Sequence, residues 1–444
     1  MVTLSQLQVN SLGPSTIASP LAMYVEGRTT NEYYVGEEDR ILYDDTLELI
    51  ASRGVPLEDL PTFEAGGPRQ QIYFDPATTK VGVVTCGGLC PGLNDVIRAI
   101  VLELHTHYGV RDVVGFQHGY AGLIPELGHE VVPLTPESVA RINERGGTVL
   151  GTSRGAQDPA AIVDRLVELD INILMVIGGD GSMRGAHNIS VEIERRGLAI
   201  GVVGVPKTID NDIPHIGQSF GFSTAFAKAA ESIKAARVEV EAAVGGVGIV
   251  KVMGRHAGFI ACYAALANHD ADFVLIPEVG FALDGDNGLL ALLERRVADR
   301  GSAVIVLAEG AGQDLIPASD RRDASGNAVL GDIAAYLRDQ ITKHFSNRAS
   351  ANQAAPLTMR YFNPGYAIRS VPADASDSVY CARLAQTAVH AAMAGRTDMV
   401  VGRRRHRFVN VPIPFVTQSA HNVSPDGDLW LSVLESTAQP FNMC

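Results

Sequence analysis

The chain has 444 residues, of which 46% are hydrophobic and 19% charged, and it carries a formal net charge of −14. That profile belongs to a folded chain rather than a disordered one, and the acidic balance argues against the broad basic surface that nucleic acid demands. The length accommodates two or three domains. No apolar run reaches the ~18 residues of a membrane helix, and the opening MVTLSQLQVN lacks the basic-then-apolar order of a signal peptide. The expectation is therefore a cytoplasmic protein with neither membrane nor nucleic-acid partners. Cys86, Cys90, Cys262, Cys381 and Cys444 are scattered. CGGLC has no second pair or His cluster to complete a zinc site, so reduced thiols are expected.

Residues 1–75 form a Pro/Gly-dotted lead segment with an acidic patch, GEEDRILYDD (36–45), and a short helical stretch, DDTLELIASRG. From Lys80 a unit repeats: an apolar strand-like run, a Gly-rich turn, then an amphipathic helix. VGVVTC (81–86) leads through GGLCPGLN into DVIRAIVLEL, where Val96, Ile97, Ile100, Val101 and Leu104 fall at helical spacing. INILMVI (171–177) leads through GGDGS into a helix near 184–196. LAIGVVGVP (198–206) runs into KTIDNDI, and VGIVKV (247–252) into MGRHAGFIACYAAL. ADFVLIP (271–277) and SAVIVLAEG (302–310) follow. This alternation predicts an α/β fold of two Rossmann-like domains, with mainly parallel sheets covered by helices. Ligands of such folds bind at the carboxyl ends of the strands, which is where the polar clusters lie.

The first cluster, GGLCPGLND (87–95), brings Gly87 and Gly88 to a helix start, where bare backbone and unpaired N–H groups suit a phosphate. Its spacing is neither a P-loop nor a dinucleotide fingerprint, and a plain tight turn is the competing reading. In the second, GGDGS, Asp180 stands between Gly179 and Gly181 ahead of Ser182. A helix cap is one reading; a Mg²⁺-binding carboxylate beside backbone left open for phosphates is the other. The third, PKTIDNDI, places Asp210 and Asp212 one residue apart, after Lys207 and Thr208. In extended chain, residues i and i+2 face the same way, so one carboxylate could take a hydroxyl proton while its neighbour helps to hold a metal. Arg154 and Arg255 sit in Gly-flanked turns, Glu309 ends an apolar strand, and Tyr366 and Arg369 stand three residues apart as an anion clamp. Each has a bland alternative as a capping, buried or surface residue.

Taken together, TCGGLCPGLNDVIR, GGDGSMRGA, PKTIDND, KVMGRHAGFIA, IPEVGF, ERRVADRGSAVIVLAEGAGQ and YFNPGYAIRS resemble the 6-phosphofructokinase family, from about Tyr34 to at least Arg369. VGEEDRILYD resembles the N-terminal extension of its plant and trypanosomatid ATP-dependent branch, a branch close to the pyrophosphate-dependent enzymes. The resemblance implies Mg²⁺-dependent transfer of a phosphoryl group from ATP to the 1-hydroxyl of fructose 6-phosphate, by a homodimer or homotetramer. It implies Asp210 as general base, Asp180 and Asp212 as metal carboxylates, and Gly87, Gly88, Gly179, Gly181, Ser182 and Lys207 around the donor. Thr208, Arg154 and Arg255 would surround the transferring group, and Met253, Gly254, Glu309, Tyr366 and Arg369 the sugar phosphate. The implied domains are a 1–75 extension, a donor domain of 76–221 plus 368–415, and a sugar-phosphate domain of 222–367 plus 416–444.

By the same resemblance, pyrophosphate enzymes carry Asp where this chain has Gly181, and carry Lys where it has Lys207. The open space at Gly181 is expected to decide for ATP, with Lys207 swinging aside. Differences on the acceptor side, RYFNP for the branch's usual KYIDP with Arg360 and Asn363, and Gly246 where many bacterial members have Arg, leave other sugar phosphates open. A silent regulatory homologue and a GGDG-bearing NAD or lipid kinase are the remaining alternatives; PKTIDND and MGRHAG count against the latter.

Overall fold

The computed structural model describes residues 2–21, 33–318, 321–322, 328–350 and 357–443. These divide into two units: residues 1–208, 213–221 and 371–419 form the first, and residues 209–212, 222–370 and 420–444 the second. The lead segment thus belongs to the first unit, and the four residues Ile209–Asp212 go with the second.

In the first unit, five parallel strands lie in the order Met399–Arg404, Gly201–Pro206, Ile173–Gly178, Lys80–Thr85 and Asp112–Phe116. Antiparallel strands extend both sides, among them Arg407–Pro412, Thr62–Ala65 and Arg40–Leu42 on one side and Val131–Pro133 on the other. Every residue of Ile173–Gly178 and of Gly201–Pro206 is buried. That is why these strands read as unbroken apolar runs rather than alternating ones. The helix Leu93–Leu102 buries Val96, Ile97, Ile100 and Val101 and packs along the helix Ala375–Met393. Its N-cap, Gly92, has φ 93°, and an added Cβ there would come within 2.5 Å of the Cys381 sulfur. Only glycine satisfies both the turn and that close approach.

In the second unit four parallel strands lie in the order Phe273–Leu275, Ser302–Ala308, Gly246–Val252 and Thr358–Phe362. Alternation sorts its faces. Val247, Ile249, Ala303 and Ile305 join a core with Leu289, Leu293, Ile333 and Leu337 of the helices Leu289–Arg300 and Ile333–Ser350. Gly248, on the opposite parity, faces Val240 and Ala236 of the helix Phe222–Glu241. Helices therefore cover both faces. Asp272, fully buried, is held by Arg237 at 2.5 Å, Arg296 at 2.9 Å and the Val304 N–H at 2.9 Å. Burial of a carboxylate is tolerable only with such pairing.

Some sequence expectations shift. The helix foreseen near 184–196 begins at Asp180 and runs to Arg195, with Gly179 as its extended N-cap and Gly181 inside its first turn. Residues 253–258 remain a loop, and the helix starts at Phe259. Thr358–Phe362, not among the apolar runs of the sequence, is a strand followed by a short helix, Gly365–Arg369.

Candidate functional site

The first unit gathers one group of predicted residues at the carboxyl ends of three adjacent strands. The strand pairings Thr85↔Ile177 and Gly178↔Pro206 bring the three ends level. Cys86 N–H donates to the Ile177 carbonyl, and Lys207 N–H to the Gly178 carbonyl, both at 2.9 Å. Gly87 N–H donates to the Ser153 carbonyl at 3.1 Å, and the Thr152 hydroxyl to the Gly87 carbonyl at 2.6 Å. These bonds dock the loop carrying the exposed Arg154 against Gly87. Lys207 is buried, and its Nζ donates to the Gly88 carbonyl at 2.7 Å. A Cβ at Gly87 would lie 3.5 Å from that Nζ and 3.8 Å from the Ser182 hydroxyl, so glycine leaves room between a cation and a hydroxyl. The swinging lysine expected from sequence is instead anchored, because its stem is enclosed and its head is bonded to backbone.

Asp180 is the first residue of its helix, whose N-cap is Gly179. The cap reading of Asp180 therefore gives way to a carboxylate at a helix start. That carboxylate pairs with Arg184 one turn on, and both side chains are about half exposed. Among the described residues a Cβ at Gly181 would meet nothing within 4 Å, so the space beside Asp180 is open. Arg184 also reaches the Thr417 carbonyl. Tyr120, buried and overlooked in the sequence, fixes this helix start by donating to the Ser182 carbonyl at 2.7 Å. Cys86, Cys90, Cys262 and Cys381 are buried and free of disulfides, and burial pushes the Cys86 thiol up to about 12, away from the reactive thiolate; Cys444 lies outside the described residues.

The second unit gathers the other group. Asn211, between Asp210 and Asp212, has φ 55°, so the two carboxylates do not flank a stretch of extended chain as the sequence reading assumed. The Asp210–Asp212 turn is tied down by His421, whose N–H donates to the Asp212 carbonyl at 3.0 Å and whose Nδ1 lies 2.9 Å from the Asn211 carbonyl. The His421 ring lies 4.7 Å from that of Phe259. No local pattern marks His421; its role comes from a contact 210 residues away in sequence.

Three strand ends carry the remaining side chains. Glu309 N–H donates to the Val252 carbonyl, and Gly310 N–H to the Gly254 carbonyl, which sets Glu309 beside the Met253–Arg255 loop. Gly254 has φ 121°, and a Cβ there would come within 2.6 Å of the Ala257 carbonyl. Arg255 donates to the Ala328 carbonyl. Met253 lies against Gly365, at the start of the helix bearing Tyr366 and Arg369. The Arg369 guanidinium stacks 4.8 Å over the Tyr366 ring, its Nε is buried without a hydrogen-bond partner among the described residues, and Tyr366 is 76% exposed. Such a pair is poised to receive an anion. Glu278, not chosen from sequence, accepts from Gly258 N–H at 2.9 Å and Val423 N–H at 2.8 Å. Its other oxygen, Oε2, is buried without a hydrogen-bond partner among the described residues, the state of an acceptor awaiting a hydroxyl. An acid ending the ADFVLIP strand was the available signal, the same one that marked Glu309.

Glycine-rich turns at the carboxyl ends of three adjacent parallel strands, with a buried lysine and a carboxylate at a helix start, are the place where α/β proteins of this class hold phosphorylated ligands. Comparison with known proteins makes this specific: the phosphofructokinase family profile matches residues 80–392, and the chain belongs to that family. It is 54% identical to the ATP-dependent 6-phosphofructokinase of Amycolatopsis methanolica, over 98% of this chain and 95% of that one. It is 44% identical to the ATP-dependent 6-phosphofructokinase of Borreliella burgdorferi, over 98% and 97%. Among solved structures, the pyrophosphate-dependent phosphofructokinase of Marinobacter aquaeolei superposes with a TM-score of 0.65 at 20% identity, over 82% of this chain and 92% of that one. That likeness establishes the fold.

Proposed function

We propose that this chain is an enzyme that transfers the γ-phosphoryl group of ATP to the 1-hydroxyl of fructose 6-phosphate, giving fructose 1,6-bisphosphate. The observation that carries the choice of donor is the open space at Gly181, joined to 54% and 44% identity with relatives named as ATP-dependent. Gly88, Gly179, Gly181 and Ser182 present backbone N–H groups and a helix start to the donor phosphates, while Gly87, whose N–H is held by the Ser153 carbonyl, keeps the space beside Lys207 open. Lys207, held on Gly88, adds a fixed positive charge.

Phosphoryl transfer asks little covalent help of a protein, so positioning and charge stabilisation supply most of the rate. Asp210 accepts the proton of the attacking hydroxyl. Thr208, Arg154 and Arg255 stabilise charge on the transferring group, while Arg369 and Tyr366 hold the sugar's phosphate, and Met253, Gly254, Glu309 and Glu278 its body. Asp180 and Asp212 are assigned to Mg²⁺, which when bound neutralises phosphate charge. Among the described residues no cluster of three or more His, Cys, Asp and Glu side chains forms. Hard carboxylate oxygens, one of them half exposed at a helix start, suit an ion that takes one or two carboxylates and completes its shell with water and phosphate. The first unit is assigned the donor, residues of the second the acceptor, and the working form is a cytoplasmic homodimer or homotetramer.

Pyrophosphate as donor is the second reading, favoured by Lys207. A buried, anchored lysine beside Gly87 and Gly88 cannot be set aside as a mobile chain. Turnover of fructose 6-phosphate with MgATP, followed by coupling fructose 1,6-bisphosphate to aldolase, tests the main reading. Turnover abolished by EDTA and restored by Mg²⁺ is expected; no bisphosphate from ATP would overturn it.

A further inference from the structure

A cavity of about 560 Å³ opens in the first unit, lined by residues 13–15, 34–37, 69–71 and Arg396. Its Arg396 lies toward the amino ends of the parallel strands, away from the carboxyl ends described above. Arg396 belongs to a short strand, Arg396–Thr397, paired with Asn10–Ser11. The next strand, Met399–Arg404, runs parallel to Gly201–Pro206, with Met399 opposite Val203. Arg396 therefore precedes the parallel strands where Lys207 follows them, about 20 Å apart at the rise of a six-residue strand.

The electrostatics of this cavity are unusual. The Arg69 and Arg396 side chains are only 5% and 10% exposed. Glu64, at 11%, is the buried carboxylate they share, accepting from Arg69 Nη2 at 2.9 Å, Arg396 Nε at 3.0 Å and Asn410 Nδ2 at 2.8 Å. One buried negative charge thus faces two buried positive ones. The balancing charge comes from the solvent side: Glu37, 64% exposed, lies 2.5 Å from Arg396 Nη2 and 3.6 Å from Arg69 Nη1. Its carboxylate hydrogen-bonds Arg396 and stands near the charge of Arg69, whose Nη atoms also donate to the Val35, Gly36 and Ala65 carbonyls. A pair with one exposed, flexible member is worth little, whereas two desolvated guanidiniums bind a dianionic phosphate strongly.

We propose that this cavity is a second ligand site, which takes a phosphate monoester of a small polyol whose phosphate replaces the Glu37 carboxylate between Arg69 and Arg396. The volume lies within the roughly 300–1,000 Å³ of small-molecule sites and exceeds what phosphate alone needs. Gln70, Gln71 and Ser15 supply amide and hydroxyl groups for the polyol.

Isothermal titration calorimetry on the full chain, with ribose 5-phosphate, ribose and inorganic phosphate as probes, tests this. Glu37→Gln removes the competing charge from an exposed position and should tighten ribose 5-phosphate binding at one class of site about 5- to 10-fold. Ribose should not bind there, and inorganic phosphate should bind more weakly than ribose 5-phosphate. The double variant Arg396→Gln with Glu64→Gln removes one charge of each sign and should lose that class of site while retaining turnover. Unchanged ribose 5-phosphate affinity in Glu37→Gln would overturn the proposal. So would ribose binding as well as ribose 5-phosphate, or inorganic phosphate equalling it.

Discussion

Replacing Gly181 by Asp is the sharpest probe of donor choice, because the structure separates its effect on folding from its effect on the donor. Gly181 occupies the second position of the helix Asp180–Arg195, is not at positive φ, and has nothing within 4 Å of an added Cβ. The fold should therefore accept the side chain. Helix propensity and an acid in the first turn favour it by some tenths of a kcal/mol, about 1 at most, partly offset by repulsion from Asp180. The donor should not accept it. A carboxylate about 5 Å from the α-phosphate, at an effective dielectric of about 20, is repelled by roughly 3 kcal/mol, and each 1.36 kcal/mol is tenfold in rate. We expect kcat/KM for ATP to fall about 100-fold while that for pyrophosphate falls far less or rises, with the melting temperature held within ~2 °C. A kcat/KM for ATP within threefold of wild type would refute the steric and charge argument. A loss accompanied by a large drop in melting temperature would refute the claim that this position is open.

Three further outcomes follow from named groups. Asp210→Asn should lower kcat about 10²- to 10⁴-fold, the usual worth of a general base, with KM for fructose 6-phosphate within a few-fold; unaltered kcat would remove Asp210 from its role. Asp272→Asn leaves Arg237 and Arg296 without their buried counter-charge and should cost about 3–5 kcal/mol. A change below 1 kcal/mol in denaturant unfolding would contradict this. His390, beside the Tyr108 hydroxyl at 2.8 Å, is pushed down to about 4 by burial. Unfolded His titrates near 6.5 and binds the proton first, so this contribution is intact above pH 6.5 and is lost as pH falls toward 4, by roughly 3 kcal/mol. Comparing wild type with His390→Gln at pH 7.5 and 4.5 should show a smaller acid loss in the variant; equal losses would contradict the assignment.

The strand ends were legible in the sequence because strands buried on both faces leave continuous Ile/Val runs, and Ile173–Gly178 and Gly201–Pro206 are such strands. The family was legible because GGDGS, PKTIDND and MGRHAG combine glycines and acids where those runs stop. What the sequence hid are contacts made at long range. Nothing near His421 announces that it holds the Asp210–Asp212 turn. Nothing in LAIGVVGVPK says that Lys207 is enclosed and bonded to Gly88. The left-handed turn at Asn211 breaks the alternation that extended chain would give, and a pattern argument has no access to it. The Arg69–Glu64–Arg396 group spans more than 300 residues of chain, so its charge balance appears only in the folded protein.

The most direct test compares donors side by side: initial rates with fructose 6-phosphate and Mg²⁺, ATP in one series and pyrophosphate in the other, at matched concentrations. Fructose 1,6-bisphosphate should form from ATP with a clearly higher kcat/KM than from pyrophosphate. Preference for pyrophosphate would contradict this and make Lys207, rather than Gly181, the residue that selects the donor.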